Sequence, residues 1–165
     1  MTIVADSSPL VILAKLGCFD LLPQLFPVLH ISFEVHHEVV VAGAGLPGAA
    51  EVAGATWIVV KSLKDPAALL AARERHSLGA GELGTIFLAK ELHANIVLLD
   101  DHKARQFAAA EGLRVHGSVG LLEKLHQAGH LHDLRNAFRA LLSHNVYIDP
   151  RLLDLRLKAL GLSPL

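Results

Sequence analysis

Thr2-Ile3-Val4-Ala5-Asp6-Ser7-Ser8-Pro9-Leu10 is a short uncharged run closed by an acid and followed at once by a helix start. Thr2–Ala5 has the length and character of a buried strand. Ser8 suits a helix N-cap and Pro9 the first helical position, where a missing N–H costs nothing. The same punctuation returns in Asn95-Ile96-Val97-Leu98-Leu99-Asp100-Asp101. Apolar runs without polar alternation mark strands covered on both faces, as in a parallel sheet. In such sheets the functional site opens beyond the carboxyl ends of the strands, where Asp6 and the Asp100–Asp101 pair fall.

Outward from these two strands, helices and strands alternate. The helix after Asp6 runs through Leu10–Leu16 to Gly17, and a second short one covers about Phe19–Leu25. Val28–Ile31 reads as a strand, and Ser32 can cap a helix over Phe33–Val41. Trp57–Val60 is a third strand. Pro66 opens a helix to about Arg75, and Gly79-Ala80-Gly81 precedes a longer one over Glu82–His93. After Asn95–Leu99 come a helix from about Asp101 to Ala110, a short strand Arg114–His116 and a helix Ser118–Ala128. This order predicts an α/β fold with a parallel sheet of about five strands between helical layers. Beyond Gly129 only helices follow, Leu131–Leu142 and Arg151–Leu160, the latter after an Asp149-Pro150 start. The expected organisation is a single domain, 1–165, with a core of about 1–128 and a helical extension of about 129–165.

The chain has 165 residues, 52% of them hydrophobic, with a mean hydropathy of +0.44. No uncharged apolar run reaches the ~18 residues of a membrane span, and the start lacks a signal-peptide pattern, so a cytoplasmic protein away from membranes is expected. Cys18 is the one cysteine, which excludes an intrachain disulfide and fits a reducing compartment. A net charge of −1 gives no global electrostatic attraction to nucleic acid. Residues 131–165 hold five basic and three acidic side chains, against 15 and 16 in the whole chain, so they carry +2 and the remainder −3.

Four acids, Asp6, Glu38, Glu82 and Asp101, with Asp100 as a fifth, fall where this topology gathers strand ends and helix starts. Clustered carboxylates repel unless a cation joins them, and hard divalent cations take oxygen ligands. An ion so held can activate water against a phosphodiester. Asp6 is read as functional, because a buried strand-end carboxylate is costly without a partner. Of Asp100 and Asp101, one is expected to face the site and the other to cap the helix. Glu38 and Glu82 each suit either a site or an ordinary helix surface. The eleven histidines, including His36-His37 and His126, His130 and His132, form no HExxH or paired-cysteine framework. The glycine-rich stretch Ala42–Gly48 lacks the Lys-Ser/Thr of a phosphate loop.

The opening Asp6-Ser7-Ser8-Pro9-Leu10 with Leu13-Ala14-Lys15-Leu16-Gly17 resembles that of PIN-domain proteins, more narrowly the PIN-like group related to VapC toxins. Glu38 on its helix, Gly79-Ala80-Gly81-Glu82 and Leu98-Leu99-Asp100-Asp101 follow in the family's order over about residues 2–125. The resemblance implies a three-layer α/β/α fold and a Mg²⁺- or Mn²⁺-dependent ribonuclease. It implies Asp6, Glu82 and Asp101 as the main metal ligands, with Asp100 as a further one, Glu38 as the second acid and Ser8 as the hydroxyl supporting Asp6. It also implies a homodimer and a small antitoxin partner. Two positions depart from the usual pattern: Ser7 stands for a commoner Thr, and Glu82 for an Asp in many toxins. Lys15, Lys103 and Arg105 are candidate contacts to RNA phosphates, or else solvated helix charges.

The competing expectation is a non-catalytic binding module of the same fold. A haloacid-dehalogenase-like phosphatase would want a second Asp where Ser8 stands. A receiver domain would want its acceptor Asp where Lys61 follows the third strand.

Overall fold

A computed structural model describes the whole chain, Met1–Leu165. Its centre is a five-stranded, all-parallel sheet of β1 (Ile3–Ala5), β2 (Leu29–Ser32), β3 (Ile58–Lys61), β4 (Ile96–Leu98) and β5 (Val115–His116), ordered β3-β2-β1-β4-β5. Period-two geometry then divides each central strand between two cores. Ile3, Ala5, Ile96 and Leu98 join a cluster of 25 buried residues on one face. Val4, Val97 and Leu99 join a cluster of 12 on the other. This explains why the strands lack polar alternation: both faces are covered, giving a three-layer α/β/α fold.

The first cluster is roofed by α1 (Ser7–Lys15), α2 (Leu22–Leu25) and α8 (Ser118–Gln127). The C-terminal helices α9 (Leu134–Ser143) and α10 (Pro150–Ala159) share it. In α9, Leu134, Ala137, Phe138 and Leu141 recur at helical spacing and are all buried, so the helix packs down along one stripe. The second cluster is covered by α5 (Pro66–Arg75), α6 (Ala80–Glu91) and α7 (His102–Ala110). Two further helices, α3 (Phe33–His36) and α4 (Ala49–Gly54), lie between β2 and β3. No single helix is long and apolar enough to cross a membrane.

Three local expectations shift. The first helix starts at Ser7 with Asp6 as its N-cap, because Asp6 stays extended and its N–H still bonds Leu98 O of β4 at 3.0 Å. The helix expected over Phe33–Val41 is α-helical only to His36 and continues as a π-helical turn, His37–Ala42. The strand expected to be buried at Trp57–Val60 is the sheet's edge, which leaves Val59 and Val60 exposed.

Candidate active site

Five helices begin at an Asp or Ser whose side chain accepts a backbone N–H of its own first turn: Ser32, Asp65, Asp101, Asp133 and Asp149. Asp6 occupies the same position before α1 and does not. Its carboxylate is only 3% exposed, and Ser7 Oγ stands 3.5 Å from Oδ1, so the nearby hydroxyl is Ser7's rather than the expected Ser8's. Burial pushes its pKa up to about 7. The Ser7 backbone N–H pulls against that rise, while the carboxylates of Glu38, Glu82 and Asp100 add to it.

Register explains the convergence. Ala5 lies beside Leu98, so β1 and β4 deliver Asp6 and Asp100 to adjoining strand ends. Asp100 is held by Ser118, whose N–H donates to Oδ1 at 2.7 Å and whose hydroxyl donates to Oδ2 at 2.6 Å. That clamp needs Gly117. A Cβ there would collide with Arg105 Nη1 and lie 3.1 Å from Asp100 Oδ1. Glu82 sits in the first turn of α6 and accepts the Gly79 N–H at 2.9 Å.

Glu38, on the exposed π-helical turn, reaches the site because Gly81 has no side chain. A Cβ at Gly81 would collide with Glu38 Oε2 and lie 3.4 Å from Asp6 Oδ1. One helical turn on, a Cβ at Gly84 would meet Ser32 Oγ at 2.8 Å and Glu34 Oε2 at 2.9 Å. Two glycines at i and i+3 thus make a smooth strip on α6 over which Glu34 of α3 and Glu38 of the π-helical turn lie.

The sequence reading put Asp101 ahead of Asp100 as a ligand. In the structure Asp101 is exposed, and its Oδ2 accepts Ala104 N–H at 2.9 Å as the cap of α7. Asp100 is the member of the pair whose charge acts on Asp6. Lys103 also differs: it turns to Ser77 Oγ at 3.4 Å and stays outside the cleft, on another side of the helix from His102 and Arg105, which line it. Lys15 and Ser8 line it as well.

Two residues escaped sequence reading. Ser118 holds Asp100 from 18 positions away, a pairing without a local signal. Glu34 lines the cleft with a buried Oε2 that has no hydrogen-bond partner. Its spacing of four from Glu38 was the available clue.

The carboxylates face one open cleft of about 1610 Å³. They do not form a preformed cage: no group of three His, Cys, Asp or Glu side chains is ready to hold an ion. The donor set still fits a hard divalent cation. It is all oxygen, it includes the orphaned Glu34 Oε2, and it contains a buried Asp6 whose ionised form a cation beside it would favour. Mg²⁺ keeps several waters and is met by few direct carboxylates, which suits acids spread around a cleft.

Among family models, DUF3368, a PIN domain, matches residues 2–162. No curated protein matches the chain.

Proposed function

Because the chain belongs to the PIN-domain family, a nuclease-type fold, we propose that it is a metal-dependent ribonuclease hydrolysing RNA phosphodiesters, and the toxin of a toxin–antitoxin pair. The observation that carries the catalytic reading is Asp6: a buried carboxylate at a helix start, withheld from capping that helix and facing three other acids. In this reading Asp6, Glu38, Glu82 and Asp100 would hold Mg²⁺ or Mn²⁺, and Asp101 serves as the cap that fixes the turn beside Asp100. When bound, the ion makes a water acidic enough to attack at neutral pH and offsets charge growing on the phosphate. Glu82, whose Oε1 receives no hydrogen bond while Oε2 is tied to Gly79, would meet the ion through that oxygen and so orient the attacking water. Arg105, lying over Gly117 beside Asp100, and Lys15 on α1 bind the flanking phosphates.

The toxin role, its antitoxin and a homodimer rest on the similarity of the Asp6–Leu10 opening to the VapC-related group. A cytoplasmic location is supported by the lone, buried Cys18. Residues 1–165 are read as one domain, supported by the core that α9 and α10 share with α1. A second reading, a PIN-like binding module without catalysis, is favoured by the lack of a preformed ion cage.

The test is RNA cleavage by the purified protein with Mg²⁺ or Mn²⁺, beside EDTA and Asp6→Asn controls. Cleavage abolished in both controls is expected. A folded protein that leaves several RNAs intact in both metals would refute catalysis and favour the binding module. Light scattering checks the dimer, and a monomer at micromolar concentration would refute it.

A further inference from the structure

The chain has six Phe, one Trp and one Tyr. Only Phe33 and Tyr147 among them are exposed, at 53% and 106%, and both line the carboxylate cleft. They come from different parts of the fold. Phe33 opens α3, which follows β2 on one side of β1. Tyr147 lies between α9 and α10, and α10 is tied to α8, after β5, by the Arg156–Glu123 ion pair. β2 lies on one side of β1 and β5, beyond β4, on the other, with Asp6 at the end of β1 between them.

Both rings stand on anchored backbone. Val146 and Ile148 pack against the larger core, so alternation turns Tyr147 outward between two fastened neighbours. Phe33 follows the buried cap Ser32 and precedes buried Val35, and the His37 ring lies 6.3 Å from its own. A cleft with cations (Lys15, Arg105) and exposed flat rings matches what single-stranded nucleic acid needs: charge for the backbone and π-faces for splayed bases.

We propose that Phe33 and Tyr147 are base-stacking platforms that seat single-stranded RNA across the carboxylate floor. The identity of the ligand rests on the ribonuclease reading. Paired bases are already stacked on one another and cannot use these rings, so the site selects unpaired strands. The rings bind substrate and take no part in the chemistry.

The experiment is fluorescence anisotropy in EDTA with an end-labelled single-stranded RNA of about 12 nucleotides, and with the same strand annealed to its complement. Phe33→Ala and Tyr147→Ala are each expected to weaken binding of the single strand about 10-fold while leaving the melting temperature in place. Tyr147→Trp should restore it and Tyr147→Leu should not, because stacking needs a flat ring. The duplex should bind more weakly and ignore all four changes. Alanine variants that bind like the parent, a duplex that loses equally, or a parent that binds no RNA would each overturn the proposal. So would variants that change only the mass in light scattering, which would make these rings a protein–protein contact. Ring-dependent RNA binding without cleavage in Mg²⁺ or Mn²⁺ would leave the platforms standing and remove the ribonuclease reading alone.

Discussion

Asp6→Asn should make the metal-free protein more stable at alkaline pH. The carboxyl's pKa rises from 3.8 to about 7 on folding, mainly through burial, so between those values the folded state holds a proton that the unfolded state has lost. Stability from this residue therefore falls as pH rises through that window, and above it the folded protein carries a buried, repelled charge. The gap of about three pKa units corresponds to roughly 4 kcal/mol at about pH 8, at about 1.4 kcal/mol per unit. At about pH 5 only a little over one unit has accrued, or roughly 2 kcal/mol. Asparagine removes the charge, keeps an acceptor for the Ser7 N–H, and turns an amide donor toward Glu38, Glu82 and Asp100.

Urea unfolding in EDTA at the two pH values measures the difference. The variant should gain more at about pH 8 than at about pH 5, by roughly 2–3 kcal/mol, with an unchanged m-value. Saturating Mg²⁺ should raise the parent's stability at about pH 8, by roughly 3 kcal/mol when the ion is about 100-fold above its Kd, and should barely change the variant's. A variant less stable than the parent at the alkaline pH, or an equal effect at both, would refute the argument that Asp6 is a buried charge waiting for a counter-ion.

Asp100→Asn should cut RNA cleavage at least roughly 100-fold, whereas Asp101→Asn, which still caps α7, should leave the rate within a few-fold; a gel-based cleavage assay separates them. Gly84→Ala should cost about 1–3 kcal/mol in urea unfolding, because its Cβ presses on the buried Ser32 hydroxyl and on Glu34. Gly81→Ala should cost less stability and more activity, since its Cβ displaces only the end of the Glu38 side chain. Ser32→Ala should lose about 1 kcal/mol through the missing cap on Val35 N–H, read as a lower urea midpoint.

Much of the fold was legible because its signals are local. Apolar runs mark the strands, and Ser32 and Asp149 cap their helices where the pattern places them. The candidate site was half legible. Its strand-end acids follow from topology, but their division of labour does not. Asp100 and Asp101 are equally good caps by type. What separates them is Ser118, whose N–H and hydroxyl reach Asp100 from the start of α8 only after β5 has joined β4. Lys103 and Arg105 are both plausible phosphate contacts by charge, and the phase of α7 alone decides between them. The π-helical turn that carries Glu38 likewise has no one-dimensional signature.

On the metal-dependent reading, the same geometry makes cation binding and proton release one event. Asp101 is occupied as a cap, Asp100 by Ser118 and Glu82 by Gly79, so each is already held by N–H or O–H donors. Asp6 accepts only from its neighbour Ser7, and burial keeps its proton on to about pH 7. A divalent ion entering among these acids must displace that proton, so its apparent affinity should weaken as pH falls below about 7, close to tenfold per unit. Calorimetric titration of Mg²⁺ or Mn²⁺ in buffers of different ionisation heat would count the proton released: close to one per ion at about pH 6 and none at about pH 8. An affinity that does not change across that range would mean that Asp6 never meets the ion, and the buried acid would then need another explanation.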